Sequence, residues 1–217
     1  MLWTEKYRPK KLGDIIGQVH FKMDAELWIQ EKDMPNVLFY GRAGTGKTGS
    51  ALALAFSMLG EKAIDNFFEI NASDDRKLET VRTLIKQIAQ SGTIGDAPFR
   101  IILLDEMEGM TNDAQNALKR IMERYASNVR FIITCNNKNK IIHPLQSRCA
   151  NYHFAPLTNE QILEVIKDIL EREDITGFDD NELSSFIGTL NGDLRRAITE
   201  IQAAKHSNIS LKKQSEI

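Results

Sequence analysis

One eight-residue segment of the sequence has the spacing of a phosphate-binding loop. Residues 41–48 read Gly-Arg-Ala-Gly-Thr-Gly-Lys-Thr and match G-x-x-x-x-G-K-[ST], in which glycines let backbone N–H groups curl around phosphate oxygens. At this spacing Lys47 reaches the β and γ phosphates, and Thr48 offers its hydroxyl to Mg²⁺. The alternative is a glycine-rich turn that binds nothing. The residues predicted to bind ATP are Gly41, Gly44, Thr45, Gly46, Lys47 and Thr48.

Two acidic residues follow the aliphatic run Ile101–Leu104. A buried strand delivers its first polar residues to the carboxyl edge of the sheet, where open α/β folds bind ligands. We predict that Asp105 holds Mg²⁺ and that Glu106 polarises the attacking water as a general base. An isolated Asp-Glu is more often a helix cap or a surface turn, but a phosphate loop upstream needs a metal partner.

The segments that must position these residues alternate between strand and helix. Short apolar runs predict strands at Asn36–Tyr40, Phe67–Asn71, Ile101–Leu104, Val129–Thr134 and Asn151–Phe154. Helical spacing predicts helices at Met23–Glu31, Thr48–Leu59 and Asp113–Tyr125, and one with a buried stripe of Leu78, Val81, Leu84, Ile85 and Ile88. Such alternation predicts an α/β fold, in which helices flank a parallel five-stranded sheet.

The pattern changes after Pro156, where only helices are predicted. They cover Thr158–Arg172, Asp179–Gly188 and Asp193–Lys205. We therefore predict a nucleotide-binding domain over residues 1–156 and a small all-helical domain over residues 157–217.

The composition limits the possible partners. The 217 residues carry a net charge of -2, so any contact with DNA must use a local stripe of positive charge. No apolar stretch has the length of a membrane span, and we expect no membrane partner. Cys135 and Cys149 show no metal-ligand spacing and no disulfide framework, so we expect a reducing intracellular compartment, the cytoplasm or the nucleus.

Several further motifs resemble those of one family, in the same order along the chain. The segment from Trp3 to Gln18 is similar to the N-terminal box of replication factor C small subunits, the clamp-loader family within the AAA+ ATPases. Glu69–Asp74 resembles the second-strand motif of that family, and Asp113–Glu123 its helix after the acidic pair. Ser147-Arg148-Cys149 matches its arginine-finger signature, and Gly192–Ala197 its sensor-2 motif. The resemblance implies an AAA+ domain followed by a helical lid.

The resemblance also implies contacts that the spacing of residues does not show. It makes Asn136 the sensor-1 residue, whose amide is hydrogen-bonded to the γ-phosphate or to the lytic water. An Asn at a strand end also often does no more than stabilise a turn. The residues that it places around the adenine base are Tyr7, Arg8, Pro9, Ile16 and Gly17.

Two arginines receive roles by the same resemblance. Arg148 is implied to act in the site of a neighbouring subunit, where a guanidinium on the γ-phosphate supplies about 10³ to 10⁵ in rate. Its alternative is a solvated arginine beside Pro144. Arg195 is implied to be sensor 2, which contacts the γ-phosphate in cis from the lid, so that ATP bridges it and Lys47. Its alternative is an ordinary surface charge.

A DNA-facing stripe is implied on the helix after the second strand. Arg82 and Lys86 are four residues apart on its outer face, and Arg76 and Lys77 come just before it. The resemblance implies that these residues contact duplex phosphates, with strong salt dependence. A solvated face with a Glu79–Arg82 pair explains the same residues equally well.

The family implies an ATPase, with ATP and Mg²⁺ as cofactors, that works in a ring with other clamp-loader subunits. It opens a sliding clamp and loads it onto primer–template DNA. An ATP-binding scaffold with little hydrolysis, or another AAA+ motor acting on DNA, stays an alternative. Glu106 and Arg148 argue against the scaffold, and the Ser-Arg-Cys element argues against the other motor.

Three features depart from the family pattern. Arg42-Ala43 stands where prolines are usual, which we expect to change loop stiffness but not phosphate contacts. Met107-Glu108 replaces the commoner Ala-Asp, and we expect a change in local packing with the base left intact. The family continues into a helical collar domain, whereas this sequence stops at Ile217, so we expect a chain without the collar.

Overall fold

The centre of the fold is a sheet of five parallel strands. The computed structural model describes residues 1–73 and 78–205, with side chains throughout except in residues 78–82. The strands are β1 Val37–Tyr40, β2 Phe67–Asn71, β3 Arg100–Asp105, β4 Val129–Cys135 and β5 Ala150–His153. They pair in the order β2-β3-β4-β1-β5, and every pair is parallel. The five-stranded parallel sheet predicted from the sequence is confirmed.

Helices connect the strands and follow the last one. The α-helices are α1 Trp3–Lys6, α2 Val19–Glu31, α3 Lys47–Leu59, α4 Ala63–Asn66, α5 Leu78–Gln90, α6 Asn112–Arg124, α7 His143–Gln146, α8 Asn159–Arg172, α9 Asp180–Gly188 and α10 Leu194–Ala204. Single turns of 3₁₀ helix lie at Leu12–Asp14, Gly60–Lys62, Met107–Gly109 and Lys138–Lys140. The short helices α1, α4 and α7 went unpredicted because four residues are too few for a periodic pattern. Within the described parts of the chain, no helix has the length and apolarity needed to cross a bilayer.

The three helices of the C-terminal part begin one residue later than the sequence suggested, because the first predicted residue is a cap. The side chain of Thr158 accepts a hydrogen bond from the backbone N–H of Gln161 and begins α8. Asp179 and Asp193 accept backbone N–H groups in the same way at the starts of α9 and α10. Such side chains satisfy N–H groups that have no partner inside the helix.

The described chain divides into two compact units. The sheet unit consists of Pro9–Gly41 and Lys47–Phe154, and the helical unit of Met1–Arg8, Arg42–Gly46 and Ala155–Ile217. The predicted two-domain boundary stays a prediction, and these units differ from it in grouping the first eight residues with the C-terminal helices. The reason lies in contacts inside the helical unit, where the backbone N–H of Trp3 donates to Gln202 and the side chain of Lys6 donates to Glu173.

The sheet unit buries apolar side chains on both faces of the sheet. Along β3, Ile101 and Leu103 face the cluster that contains α2 and α3, whereas Ile102 and Leu104 face the cluster that contains α5 and α6. Both faces of β3 are buried, which explains why its sequence is a continuous apolar run.

The predicted buried stripe of α5 is only partly correct. Ile85 and Ile88 are buried, but Leu84 is exposed. Successive helical residues lie about 100° apart, because the helix has 3.6 residues per turn, and Leu84 falls off the arc that faces the sheet. Leu78 and Val81 belong to the residues whose side chains are not described.

The helical unit has its own apolar core. Ile166 of α8, Ile187 of α9 and Ile201 of α10 are fully buried, and Trp3 of α1 is 2% exposed. The hydroxyl of Tyr7 donates to Glu173 at 2.7 Å. The short N-terminal helix is thus an integral layer of this unit.

Candidate nucleotide-binding site

The phosphate loop has a backbone conformation that residues other than glycine rarely adopt. The φ angles of Gly41, Gly44 and Gly46 are 148°, 78° and 89°, values that glycine adopts without a steric penalty. At Gly41 a Cβ atom would also collide with the backbone carbonyl of Phe154. The loop therefore requires glycine at its first position for two independent reasons.

Lys47 is the first residue of α3 and is held at the carboxyl edge of the sheet. Its side chain is buried, and its ammonium donates to the carbonyl oxygen of Gly41 at 2.8 Å and to Oδ1 of Asn136 at 3.0 Å. The start of a helix favours anions because its N–H groups lack intrahelical partners. A charged amine that is already positioned beside these groups is suited to bind phosphate.

Asp105 ends β3 in contact with the hydroxyls of two threonines. Oγ1 of Thr48 lies 3.0 and 3.1 Å from its two carboxylate oxygens. The hydroxyl of Thr134 donates to Asp105 and accepts the backbone N–H of Glu106 at 3.2 Å. The predicted metal residues Thr48 and Asp105 are thus brought together by β3, β4 and α3.

This set of donors fits magnesium shared with a nucleotide. Mg²⁺ takes one or two carboxylate or hydroxyl oxygens from the protein and completes its octahedron with phosphate oxygens and water. Thr48 and Asp105 supply such oxygens. In residues 1–73 and 78–205, no group of three or more His, Cys, Asp or Glu residues is placed to hold a metal ion by itself. Phosphate oxygens and water would supply the rest of the shell.

Glu106 has an unusual backbone conformation next to these residues. Its φ is 55°, in the left-handed region, where a non-glycine residue costs of order 1–3 kcal/mol. Its carboxylate is exposed and accepts a hydrogen bond from Oγ of Ser73 at 3.0 Å. Ser73 is in turn bonded to Oδ1 of Asn71 at the end of β2. The candidate base is thus held toward the carboxyl edge by a strained turn and one serine.

Asn136 lies just after β4 and connects Lys47 to an acidic residue. Its Nδ2 and its backbone N–H donate to Oε1 of Glu108 at 2.7 and 2.9 Å. The other oxygen of Glu108, Oε2, is buried and has no hydrogen-bond partner among the described residues. Glu108 therefore does more than change local packing, because it contacts the candidate sensor directly.

Arg148 lies at the opposite edge of the sheet. It precedes β5 and lines a cleft of about 500 Å³. Asn36, which precedes β1, and Arg130, near the start of β4, line the same cleft. It is exposed, forms an ion pair with Glu123 and donates to the carbonyl oxygen of Pro144 at 2.8 Å. At about 3.3 Å per residue, the four-residue β1 separates the two edges by roughly 13 Å.

Comparison with known proteins places this geometry in a family. Residues 37–157 match the family model of AAA, the ATPase family associated with various cellular activities. The chain belongs to the AAA family of ATPases. Nucleotide binding, with the Mg²⁺ typical of such proteins, is the property that this membership implies.

Curated relatives confirm the resemblance seen in the motifs of this AAA chain. Replication factor C small subunits of Methanothermobacter thermautotrophicus and Aeropyrum pernix are 48% and 43% identical to it, over 93% and 95% of its length. The chain spans 62% and 63% of the lengths of those two relatives.

Solved structures share the fold of the AAA chain. The branch-migration motor RuvB of Thermotoga maritima superimposes with a TM-score of 0.74 at 18% identity, over 90% of this chain and 64% of that one. At this identity the likeness concerns the fold alone.

In the helical unit, α10 begins against the phosphate loop of the AAA chain. The backbone N–H of Leu194 donates to the carbonyl oxygen of Gly44 at 3.3 Å. A Cβ atom on Gly44 would collide with the carboxylate of Asp193. Arg195 follows on the first turn of this helix and is exposed. The predicted sensor-2 residue thus lies one residue from a direct contact with the loop.

The residues predicted to contact adenine or DNA differ in their exposure. Tyr7 and Arg8 are half-buried in the helical unit, and Pro9, Ile16 and Gly17 are half-buried in the sheet unit. Lys86 is exposed on α5. Arg76, Lys77 and the side chain of Arg82 lie outside the described residues.

The spacing of residues did not reveal three polar side chains of this site. Thr134 is the only hydroxyl in the apolar run from Phe131 to Thr134, and that was a signal for it. The signal for Glu108 was its own position, as an additional carboxylate two residues after the predicted base. Ser73 lies in the second-strand motif and had no assigned role.

Proposed function

We propose that this chain is the ATP-hydrolysing module of a clamp-loader subunit. The main supporting observation is that two hydrogen-bonded groups lie at the carboxyl edge, Lys47 with Asn136 and Thr48 with Asp105. Membership of the AAA family and the identity to replication factor C small subunits support the same role.

The first step is the binding of the triphosphate. The N–H groups of residues 41–48 face the phosphates, and the ammonium of Lys47 exchanges the carbonyl oxygen of Gly41 for phosphate oxygens. Thr48 and Asp105 hold Mg²⁺, which, when bound, neutralises charge that builds up on the phosphates. Tyr7, Arg8, Pro9, Ile16 and Gly17 surround the adenine, as the resemblance implies.

Hydrolysis needs a base and a counter-charge. Glu106 orients a water molecule and takes its proton as the water oxygen bonds to the γ-phosphorus and the bond to the β-phosphate oxygen breaks. ATP and water thereby become ADP and phosphate, and the base contributes about 10² to 10⁴ in rate. Arg195 contacts the γ-phosphate of the same chain. Asn136 contacts the γ-phosphate or the attacking water, the two roles that the resemblance implies.

Arg148 supplies its charge to a different chain. Its place at the amino edge keeps its guanidinium away from Lys47 of its own chain, since a whole strand length separates them. Its ion pair with Glu123 is exposed, and exposed pairs contribute only about 0–1 kcal/mol. A neighbour's γ-phosphate can therefore replace the Glu123 carboxylate, which makes hydrolysis depend on assembly.

The larger task that we propose is the opening of a sliding clamp and its loading onto primer–template DNA, in a ring with other clamp-loader subunits. Arg76, Lys77, Arg82 and Lys86 would contact the DNA backbone. This part of the proposal draws on the similarity of the chain to replication factor C small subunits.

A mixing experiment tests the hydrolytic core of the proposal. A Glu106→Gln chain keeps Arg148 and lacks the base, and an Arg148→Ala chain keeps the base Glu106 and lacks the arginine. The mixture is expected to hydrolyse ATP faster than the sum of the two separate chains, because one kind of interface is complete. Arg124→Ala is the matched control for Arg148→Ala, since Arg124 is exposed at the end of α6.

Two outcomes of the mixing experiment decide against the hydrolytic core of the proposal. A mixture no faster than its components rules out action of Arg148 in trans. Full activity of Glu106→Gln alone rules out Glu106 as the base. Joint stimulation of the wild-type ATPase by primed DNA and a sliding clamp tests the clamp-loading role, and its absence favours a scaffold.

A further inference from the structure

We propose that Glu108 is a positioning residue that fixes the side-chain amide of Asn136 with its carbonyl oxygen toward Lys47. Asn136 then serves the nucleotide site as a hydrogen-bond acceptor. This inference rests on the proposed ATPase function and deepens it.

The orientation of the amide follows from the chemistry of its two neighbours. An ammonium can only donate hydrogen bonds, and an ionised carboxylate can only accept them. Oδ1 of Asn136 faces Nζ of Lys47 at 3.0 Å, and Nδ2 faces Oε1 of Glu108 at 2.7 Å. The flipped amide would point an NH₂ at an ammonium and an oxygen at a carboxylate. Amide orientation is assigned from such networks, and here both partners require the same one.

Glu108 also fixes the backbone of the residue that it orients. The N–H of Asn136 donates to the same oxygen, Oε1, at 2.9 Å, so one carboxylate holds both the main chain and the side chain. The turn that carries Glu108 is anchored by Met107, which is fully buried, and by a bond from the N–H of Gly109 to the carbonyl of Glu106. The candidate base and the residue that holds the sensor therefore belong to one turn.

The two carboxylate oxygens of Glu108 lie in different surroundings. Oε2 is buried without a hydrogen-bond partner among the described residues, and a buried polar atom without a partner is destabilising. A carboxylate that holds Asn136 through Oε1 while its Oε2 lacks a partner fits a positioning role. An apolar residue would have packed the turn without that destabilisation.

The orientation of the amide distinguishes the two roles that the resemblance leaves open for Asn136, a hydrogen bond to the γ-phosphate or to the lytic water. Its Nδ2 is engaged with Glu108, so the side of the amide that faces Lys47 is the oxygen. Once Lys47 turns to phosphate, this oxygen accepts a hydrogen bond from Lys47 or from the attacking water. It does not donate to the γ-phosphate.

A double-mutant cycle in the full chain tests the inference. We expect Glu108→Ala to lower kcat roughly 10-fold, the effect of one lost hydrogen bond to a charged group, with a smaller change in KM. Asn136→Ala lowers kcat at least as much. Because Glu108 acts through Asn136, the double variant is expected to be no slower than Asn136→Ala. Glu108→Asp, which keeps the carboxylate on a shorter side chain, retains more activity than Glu108→Ala.

A second measurement does not depend on turnover. The side-chain NH₂ signals of Asn136 in a ¹⁵N NMR spectrum, identified by their loss in Asn136→Ala, are expected to shift in Glu108→Gln. They are expected to stay in place in Asp113→Asn, a control at an exposed acid of α6. Unchanged signals in Glu108→Gln would overturn the proposal even if Glu108→Ala failed to fold.

The two proposals fail in different ways. Wild-type protein that neither binds nor hydrolyses ATP contradicts the ATPase function, and the NMR test of Glu108 still applies. Wild-type ATPase with independent, multiplicative losses in Glu108→Ala and Asn136→Ala contradicts the positioning role alone.

Discussion

The two edges of the sheet hold their functional side chains in different ways. At the carboxyl edge, Thr48 and Thr134 are hydrogen-bonded to Asp105, and the buried Lys47 is hydrogen-bonded to Asn136. At the amino edge, Arg148 is exposed beside a cleft of about 500 Å³ and contacts an exposed acid, Glu123. Lys47 is thus a buried cation with hydrogen-bonded partners, whereas Arg148 is an exposed cation.

The difference shows what each edge can do alone. A buried network is organised before its ligand arrives, so binding needs little reorganisation. A surface ion pair is weak and screened by salt, so an incoming phosphate can replace the carboxylate. In the function that we propose, the carboxyl edge binds a nucleotide within one chain, and the amino edge completes such a site in another chain.

One buried cysteine lies near each edge of the sheet. Cys135 precedes Asn136, and Cys149 follows Arg148. Burial raises the pKa of the Cys149 thiol to about 12, and burial together with the charge of Glu108 raises the pKa of the Cys135 thiol to about 12. We expect both native thiols at pH 8 to react about 10³-fold more slowly than a free cysteine, since the thiolate is the reacting form.

The sign of the pH dependence follows from the direction of the shifts. Both pKa values are raised above the unfolded value, so the stabilisation from the neutral thiols is present below about pH 9 and is lost as the pH rises toward 12. Ellman's reagent on Cys135→Ala and Cys149→Ala measures each thiol separately, with denatured protein as the control. Rapid native labelling at one edge would show that this edge lacks a closed core.

Removal of the buried cation tests the carboxyl edge itself. We expect Lys47→Ala to weaken ATP binding roughly 10²-fold, because charge-assisted hydrogen bonds to phosphate are lost. Titration calorimetry measures the affinity. Lys140→Ala removes an exposed lysine and is expected to leave the affinity unchanged. Equal effects of both variants would mean that overall charge, and not the buried network, governs binding.

Loop geometry at the same edge is the next test. Gly41→Ala forces a Cβ atom toward the carbonyl of Phe154 at a φ of 148°. We expect it to lower the free energy of unfolding by about 1–3 kcal/mol, as for other strained backbone positions. Thermal or urea unfolding measures the loss. Gly13→Ala, where a Cβ atom meets open space, is the matched control and should differ little from wild type.

The sequence predicted the parts of this fold and site that depend on local spacing. The strands, the phosphate loop and the pair Asp105-Glu106 follow from apolar runs and from the residues directly after them. Thr134 did not, because its bond to Asp105 depends on a register that aligns Leu104 of β3 with Ile133 of β4. The contact of Glu108 with Asn136 joins residues 28 positions apart through a single 3₁₀ turn, and no periodic pattern reports such a turn.

The smallest expected effect is the one that most directly tests the contrast between the edges. Arg148 lies a strand length from Lys47, so in the isolated chain Arg148→Ala is expected to change ATP affinity by less than about 2-fold, the spread seen for distant independent sites. Calorimetry under the conditions used for Lys47→Ala measures it. Because the exposed pair with Glu123 contributes little to stability, the variant should also unfold at nearly the wild-type temperature. A large loss of affinity in the isolated chain would place the Arg148 guanidinium on its own nucleotide, and the two edges would then act as one site within a single chain.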